Sequence, residues 1–356
     1  MAARDVDVSV IVPCYNTERF LDQALVSAEQ NSRCSVEIIV LNDGSSDKSL
    51  DIMRTHEARD ARVRVIDKQN QGYGATVNRG IAEARGHYVA ILEPDDWVLP
   101  HMYDELFELA KSSGFPNVVK SCYRRIRSAG ASGVEYGYLR GRVKVDKPVF
   151  TLADAPQLIM YHPSIWSALY DREFLSLNKL SLREVPGAGW VDNPFCVETL
   201  VAARSIAFTD EAYYCYREDL PGASSAQIKP LVMLERWEER QDALDAYGIG
   251  DARIRYANCV VGLRFLGQIL SAGLLDELGV REAATKMARR MDPELVCTVR
   301  EVAPAVVACC LELAGADEEA PGKAEHLLHL ASEAAWAFKV NGPAFLWHNV
   351  MIAKDR

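Results

Sequence analysis

The sequence has little that would suit a membrane-spanning, disulfide-stapled or nucleic-acid-binding chain. A spanning helix needs about 20 apolar residues, and no such run occurs. The apolar-leaning uncharged stretch Val302–Leu311 of the C-terminal half contains Pro304 and lies between Glu301 and Glu312. The opening MAARDVDVSV lacks the apolar core of a secretory leader. The nine cysteines form no CxxC pair and keep no regular spacing. Cys14, Cys122 and Cys215 sit in apolar or aromatic runs, so buried free thiols in a reducing compartment are expected. Basic surplus is also missing: 40 Lys and Arg face 50 Asp and Glu, a net charge of −10. That excludes the basic face of a general nucleic-acid binder. There is no internal repeat.

What remains is an ordinary globular composition, 49% hydrophobic and 25% charged over 356 residues. At about 150 residues per domain this length fits two domains. The first part alternates short β-branched runs with helical spacing. Val8–Val12, Glu37–Leu41, Val63–Ile66, Tyr88–Leu92 and Asn117–Cys122 read as strands. Between them, Phe20, Leu21, Ala24, Leu25 and Ala28 recur at helical spacing behind Asn16 or Thr17 as N-cap. Further helices are expected from Leu50, over Ala75–Arg85 and over Met102–Leu109. This alternation predicts an α/β fold with a Rossmann-like, mostly parallel sheet flanked by helices. Ligands bind at the carboxyl ends of such strands.

Three polar clusters occupy those ends: Pro13–Asn16, Asn42–Asp47 and Glu93–Asp96. In Glu93-Pro94-Asp95-Asp96, three carboxylates within four residues repel one another unless a cation or donors intervene. Taken alone, the tetrad equally fits a solvated turn capping the next helix. Its place after a buried strand favours metal binding, since Mg²⁺ takes a few carboxylates together with phosphate oxygens. Asp43, in Asp43-Gly44-Ser45-Ser46-Asp47, fits a plain strand-to-helix turn or an acceptor for a nucleobase imide. Gly72-Tyr73-Gly74 imitates a dinucleotide fingerprint but lacks its third glycine and follows the third strand, so a nicotinamide role is rejected. Asp192, in a Gly, Trp and Pro-rich loop, is a candidate general base. His162 suits a structural histidine better than a ligand contact. Tyr213, Tyr214 and Tyr216 read as core and interface aromatics. Beyond Pro230 the pattern turns helical, with Leu234, Trp237, Leu244, Ile254, Leu263 and Leu266 on amphipathic faces. The expected division is residues 1–225 and a helical C-terminal region, 226–356.

Taken in order, Val8-Ser9-Val10-Ile11-Val12-Pro13-Cys14-Tyr15-Asn16, Asn42–Asp47, the glycine turn with Asn78, and Glu93–Asp96 resemble the family 2 glycosyltransferases of GT-A fold. The resemblance covers about residues 6–225. Pro186-Gly187-Ala188, Asp192 and the Tyr214–Asp219 run resemble one bacterial branch that builds cell-surface glycans. The resemblance implies an inverting transfer of a sugar from a nucleotide-sugar, most often a UDP-sugar, with Mg²⁺ or Mn²⁺. Pro13, Tyr15, Asn16, Asp43, Asn78 and Asp95 would bind the nucleotide-sugar. Glu93, Asp95 and Asp96 would hold the metal, and Asp192 would be the catalytic base. Glu93 stands where many relatives carry Asp. Val77 stands where many carry a diphosphate-binding Arg, a charge that Arg79 or Lys68 would then supply. The implied acceptor is a glycan or lipid-linked molecule, and the implied place is the cytoplasm or the inner face of the membrane. The C-terminal helices leave acceptor orientation, homo-oligomer formation and peripheral membrane contact open. Two rivals were weighed. A nucleotidylyltransferase would carry a glycine- and basic-rich loop where Pro13–Asn16 stands. A catalytically degenerate fold would serve as a nucleotide-sugar-binding scaffold.

Overall fold

The computed structural model describes residues 6–126, 134–218, 220 and 228–342. It separates into two compact units, Met1–Ala155 with Pro163–Ser224, and Pro156–His162 with Ser225–Arg356.

The first unit is built on strands β1 (Val8–Cys14), β2 (Val36–Asp43), β3 (Val63–Lys68), β4 (Tyr88–Ile91), β5 (Trp97–Val98), β6 (Val118–Ile126), β7 (Val134–Tyr136), β8 (Ala168–Asp171) and β9 (Ile206–Arg217). They form one sheet in the order β3-β2-β1-β4-β8-β6-β9-β5, with β7 on β6. The β-branched runs explain the first half. Every residue of β1, β2 and β4 is buried, as parallel strands covered on both faces require. The pairs β2–β3, β1–β2 and β1–β4 are parallel. The sheet becomes mixed past β4, where β8 runs antiparallel to both β4 and β6. The carboxyl ends of β1, β2 and β4 therefore share one edge.

Helices α1 (Leu21–Glu29), α2 (Ser49–Arg59), α3 (Tyr73–Glu83) and α4 (Met102–Ser112) follow the first strands. Neither Asn16 nor Thr17 caps α1 through its side chain. The Thr17 carbonyl instead accepts the Phe20 and Leu21 N–H groups. Helix α3 begins at Tyr73, two residues before the expected start, and lies so close to β1 that a Cβ on Gly80 would come within 2.4 Å of Ile11. Two more helices of this unit, α6 (Arg172–Leu177) and α7 (Asp192–Ala202), follow β8 and precede β9, and the short α5 (Gln157–Met160) belongs to the second unit.

The second unit also holds α8 (Pro230–Ala246), α9 (Ala252–Ser271), α10 (Val280–Arg290), α11 (Pro293–Val296), α12 (Pro304–Ala314) and α13 (Lys323–Asn341). Its centre is α9 against α8. Trp237 is buried and donates from Nε1 to Asn258 O, while buried Arg240 donates to Asn258 Oδ1 and Ile159 O. None of the residues of α13 is buried. All nine cysteines are free and seven are buried. Among the described residues no helix is long and apolar enough to cross a membrane.

Candidate active site

The polar clusters meet along the carboxyl edge of the parallel strands. Pro13 closes β1 in the buried interior, and Tyr15 beyond it is 53% exposed. Asn16 adopts a left-handed backbone, φ 52°, a conformation asparagine tolerates well. It ties the loops after β1 and β2 together: its N–H donates to Ser45 Oγ at 3.0 Å, and its Oδ1 accepts Ser46 N at 2.8 Å.

Asp43 ends β2 and is buried. Its Oδ1 accepts Gln71 N at 2.8 Å and Lys68 Nζ; its Oδ2 accepts Gly72 N at 3.0 Å. A carboxylate has about four acceptor sites, so one Oδ2 lone pair is left for a nucleobase. The rest of the group pins the turn before α3. Lys68 is thereby engaged, and Arg79 pairs with Glu83 on α3. Val77 is buried in the core.

Asn78 is engaged with the segment after α6. Its Nδ2 donates to Leu182 O (2.9 Å) and Glu184 Oε1 (3.0 Å), and its Oδ1 accepts Leu182 N (2.9 Å). Three of its four hydrogen-bonding positions are spent on the 182–184 backbone and side chain. The glycines of the turn are explained by the same segment. A Cβ on Gly72 (φ 90°) would lie 2.6 Å from Val185 O, and one on Gly74 2.0 Å from Arg183 O. Tyr73 N donates to Gly187 O at 3.0 Å.

The acidic turn follows β4. Glu93 accepts the Tyr73 hydroxyl. Asp96 is buried and accepts Tyr214 Oη at 3.0 Å and Arg217 N at 2.7 Å. The Tyr214 oxygen also accepts Glu93 N at 3.0 Å. Arg217 Nε donates to Asp95 O at 2.6 Å, and its guanidinium lies over the Trp97 and Phe20 rings, 4.4 and 4.9 Å from their centroids. Among the described residues, the Asp95 carboxylate receives a hydrogen bond only from its own N–H, with the Arg217 charge nearby.

All three acids are held above their usual range. Burial pushes Glu93 up to about 8, with the Asp95 and Asp192 charges adding to it. Burial, then the Asp95 charge, raises Asp96 well above normal. Burial raises Asp95. These are hard oxygen donors in a pocket of uncompensated negative charge, which suits Mg²⁺ or Mn²⁺. The expected three-carboxylate cage is nonetheless not preformed. Among the described residues no three His, Cys, Asp or Glu side chains form a metal-holding group; Glu93 and Asp96 are each turned to their own partners. The donor set fits a cation held mainly by Asp95, with Glu93 and Asp96 behind it.

Asp192 opens α7 and is partly buried. Asn193 Nδ2 donates to its Oδ1 at 3.3 Å. Its charge adds to what raises Glu93 and Tyr73. Tyr214 and Arg217, read from sequence as core and motif residues, are the unanticipated members of the site. The Tyr214–Asp219 run entered only as part of the resemblance to one bacterial branch, and the pairing of β9 with β5 shows where its first residues go. Trp166 stacks on Tyr214 at 4.1 Å and 21°.

Comparison with known proteins agrees with this arrangement. Residues 9–175 match the model of Glycosyl transferase family 2. The glycosyltransferase EpsJ of Bacillus subtilis is 30% identical over 253 residues, which span 69% of this chain and 72% of EpsJ. GlyA of Streptococcus pneumoniae is 35% identical over 219 residues, spanning 60% of this chain and 31% of GlyA. Crystallised residues 1–349 of S. aureus TarS superpose with a TM-score of 0.69 at 19% identity, covering 87% of this chain and 89% of that one. The mixed sheet flanked by helices is thus the GT-A architecture, and the chain belongs to glycosyl transferase family 2, a glycosyltransferase.

Proposed function

We propose that the protein is an inverting, divalent-metal-dependent glycosyltransferase that takes a UDP-sugar as donor and a glycan or lipid-linked molecule as acceptor in cell-surface polysaccharide synthesis. The observation that carries this reading is the acidic turn: three acids raised together, with Asp192 within reach of their field. TarS, whose architecture the chain shares, was crystallised with UDP-GlcNAc and with UDP, which supports a uridine donor. Residues 1–225 form the transferase domain, and 226–356 a helical region attached to it. The enzyme works in the cytoplasm or at the inner membrane face.

The chemistry follows from charge. A divalent cation, when bound, neutralises the leaving diphosphate as a Lewis acid. Asp43 and the exposed Tyr15 ring offer the base an acceptor and a face. Asp192 removes the acceptor hydroxyl proton. One base and one displacement invert the anomeric carbon, as in inverting glycoside chemistry.

The test is UDP release from a panel of UDP-sugars with Mn²⁺ or EDTA, and the anomeric configuration of the product. Asp192→Asn should cost about 10²- to 10⁴-fold in turnover while donor binding persists, and EDTA should abolish turnover. Pyrophosphate release would instead indicate nucleotidyl transfer, and UDP-sugar binding without turnover a scaffold.

A further inference from the structure

The sequence motif that the transfer chemistry leaves unused is Gly72-Tyr73-Gly74 with Asn78. Its backbone and the Asn78 side chain act on one segment, 182–187, which runs directly into the loop before Asp192. Asn78 holds residues 182 and 184 through three hydrogen bonds. The bare faces of Gly72 and Gly74 let the carbonyls of Val185 and Arg183 lie where Cβ atoms would otherwise stand. Tyr73 N fixes Gly187 O. Arg183 adds an ion pair to Glu198 on α7. Four residues, 188–191, then separate the last anchor, Gly187, from Asp192, and the stretch from Gly187 carries an unusual backbone. Gly187, Gly189 and Trp190 have φ of 70°, 56° and 56°. A tryptophan in that region is a true outlier and persists only where its surroundings enforce it. Tyr73 also points the other way, its hydroxyl donating to Glu93.

We propose that Tyr73 and Asn78 are positioning residues that set the placement of Asp192 relative to the acidic turn, rather than residues that touch the nucleotide-sugar. Tyr73 joins the two halves of the reaction centre directly, its backbone on the segment leading to the base and its side chain on the turn facing the donor. Asn78 acts through the 182–184 anchor alone. The inference rests on Asp192 being the base.

The experiment measures kcat for UDP release and donor Kd by calorimetry for wild type, Asn78→Ala, Tyr73→Phe and Asp192→Asn with Mn²⁺. Misplacing a reacting group by about 1 Å costs up to about a hundredfold. Asn78→Ala and Tyr73→Phe should therefore lose about ten- to a hundredfold in kcat, with donor Kd within about twofold of wild type. A general loosening of the fold would lower kcat and donor affinity together and overturns the inference. So does a weaker donor Kd at unchanged kcat, which marks ligand contact, or no change in either. Tyr73→Phe keeps the ring and the bond to Gly187 O, so it decides the matter if Asn78→Ala does not fold. If Asp192→Asn turns over at the wild-type rate, the base assignment itself falls and this inference with it. If Asp192→Asn is inactive and the other two match wild type, only the positioning role falls.

Discussion

Tyr214→Phe tests whether a neutral phenol holds the acidic turn together. Tyr214 is fully buried, donates to Asp96 Oδ2 and accepts Glu93 N, both at 3.0 Å. The substitution removes one oxygen and leaves the ring stacked on Trp166. A hydrogen bond to a charged group contributes about 1.5–3 kcal/mol, and a buried N–H left without a partner costs about 1–3 kcal/mol. Asp96 keeps Arg217 N as donor, so the terms do not add in full, and a net loss of about 3 kcal/mol is expected. For a unit of this size that is roughly 6–12 °C in Tm. Tyr103→Phe is the matched control. Tyr103 is equally buried, but its hydroxyl has no hydrogen-bond partner among the described residues, so removing it should be neutral or stabilising. Thermal unfolding of both variants, metal-free at pH 7.5, provides the comparison. Equal shifts in the two, or a Tyr214→Phe loss below about 0.5 kcal/mol, would refute the assignment.

Two further outcomes concern pH. Glu93 keeps its proton up to about pH 8 in the folded chain against an ordinary 4.5. Its contribution to stability is therefore full below about 4.5 and is lost as pH rises through about 8. Mn²⁺ competes with that proton, so its stabilisation should grow between pH 5.5 and 8 in thermal shift; a metal effect independent of pH would contradict this. Lys120 is buried on β6, donates to Pro163 O and Ser164 O, and is pushed by burial down to about 8 from 10.5. Its burial cost is relieved as pH rises from about 8 to 10.5, by at most about 3 kcal/mol. Wild type should gain stability relative to Lys120→Met across that window in urea unfolding, and a flat difference would refute it.

The legible parts of the sequence were those set by local physics. The β-branched runs located β1 to β4 because buried parallel strands need apolar residues on both faces. The polar clusters fall along one edge because the parallel strands they follow end there together. The helix-start residues after β1 were misread, since a main-chain carbonyl served where a side chain was expected. Partners distant in sequence could not be read. Asn78 looked like a ligand contact because nothing local revealed a segment 104 residues away. Tyr214 is core as read, but its bond to the acidic turn was not legible, because β9 reaches that turn only through its pairing with β6 and β5. The glycines around Tyr73 resembled a cofactor loop because glycine reports only that some backbone comes close, not which one.

The choice of partners around the acidic turn also bears on why a cation is needed there. Tyr73 and Tyr214 satisfy carboxylate oxygens without cancelling charge. Arg217 brings the one guanidinium in contact with the turn, and two of its hydrogen bonds there come from Nε to a main-chain oxygen and from its own backbone N–H. Replacing the phenols by lysine or arginine would have held the turn more strongly and left it neutral. As built, burial holds all three acids toward their neutral forms, Glu93 up to about pH 8, and the turn takes on negative charge as those protons leave. A nucleoside diphosphate brought to such a turn meets like charge on like charge, a repulsion strengthened by the low dielectric of a part-buried site. A divalent cation between them satisfies both at once. The turn thus folds on neutral donors and leaves its charge for the donor complex, which is why Tyr214→Phe should weaken the metal-free fold while Asp95→Ala should spare the fold and weaken the metal's effect on it.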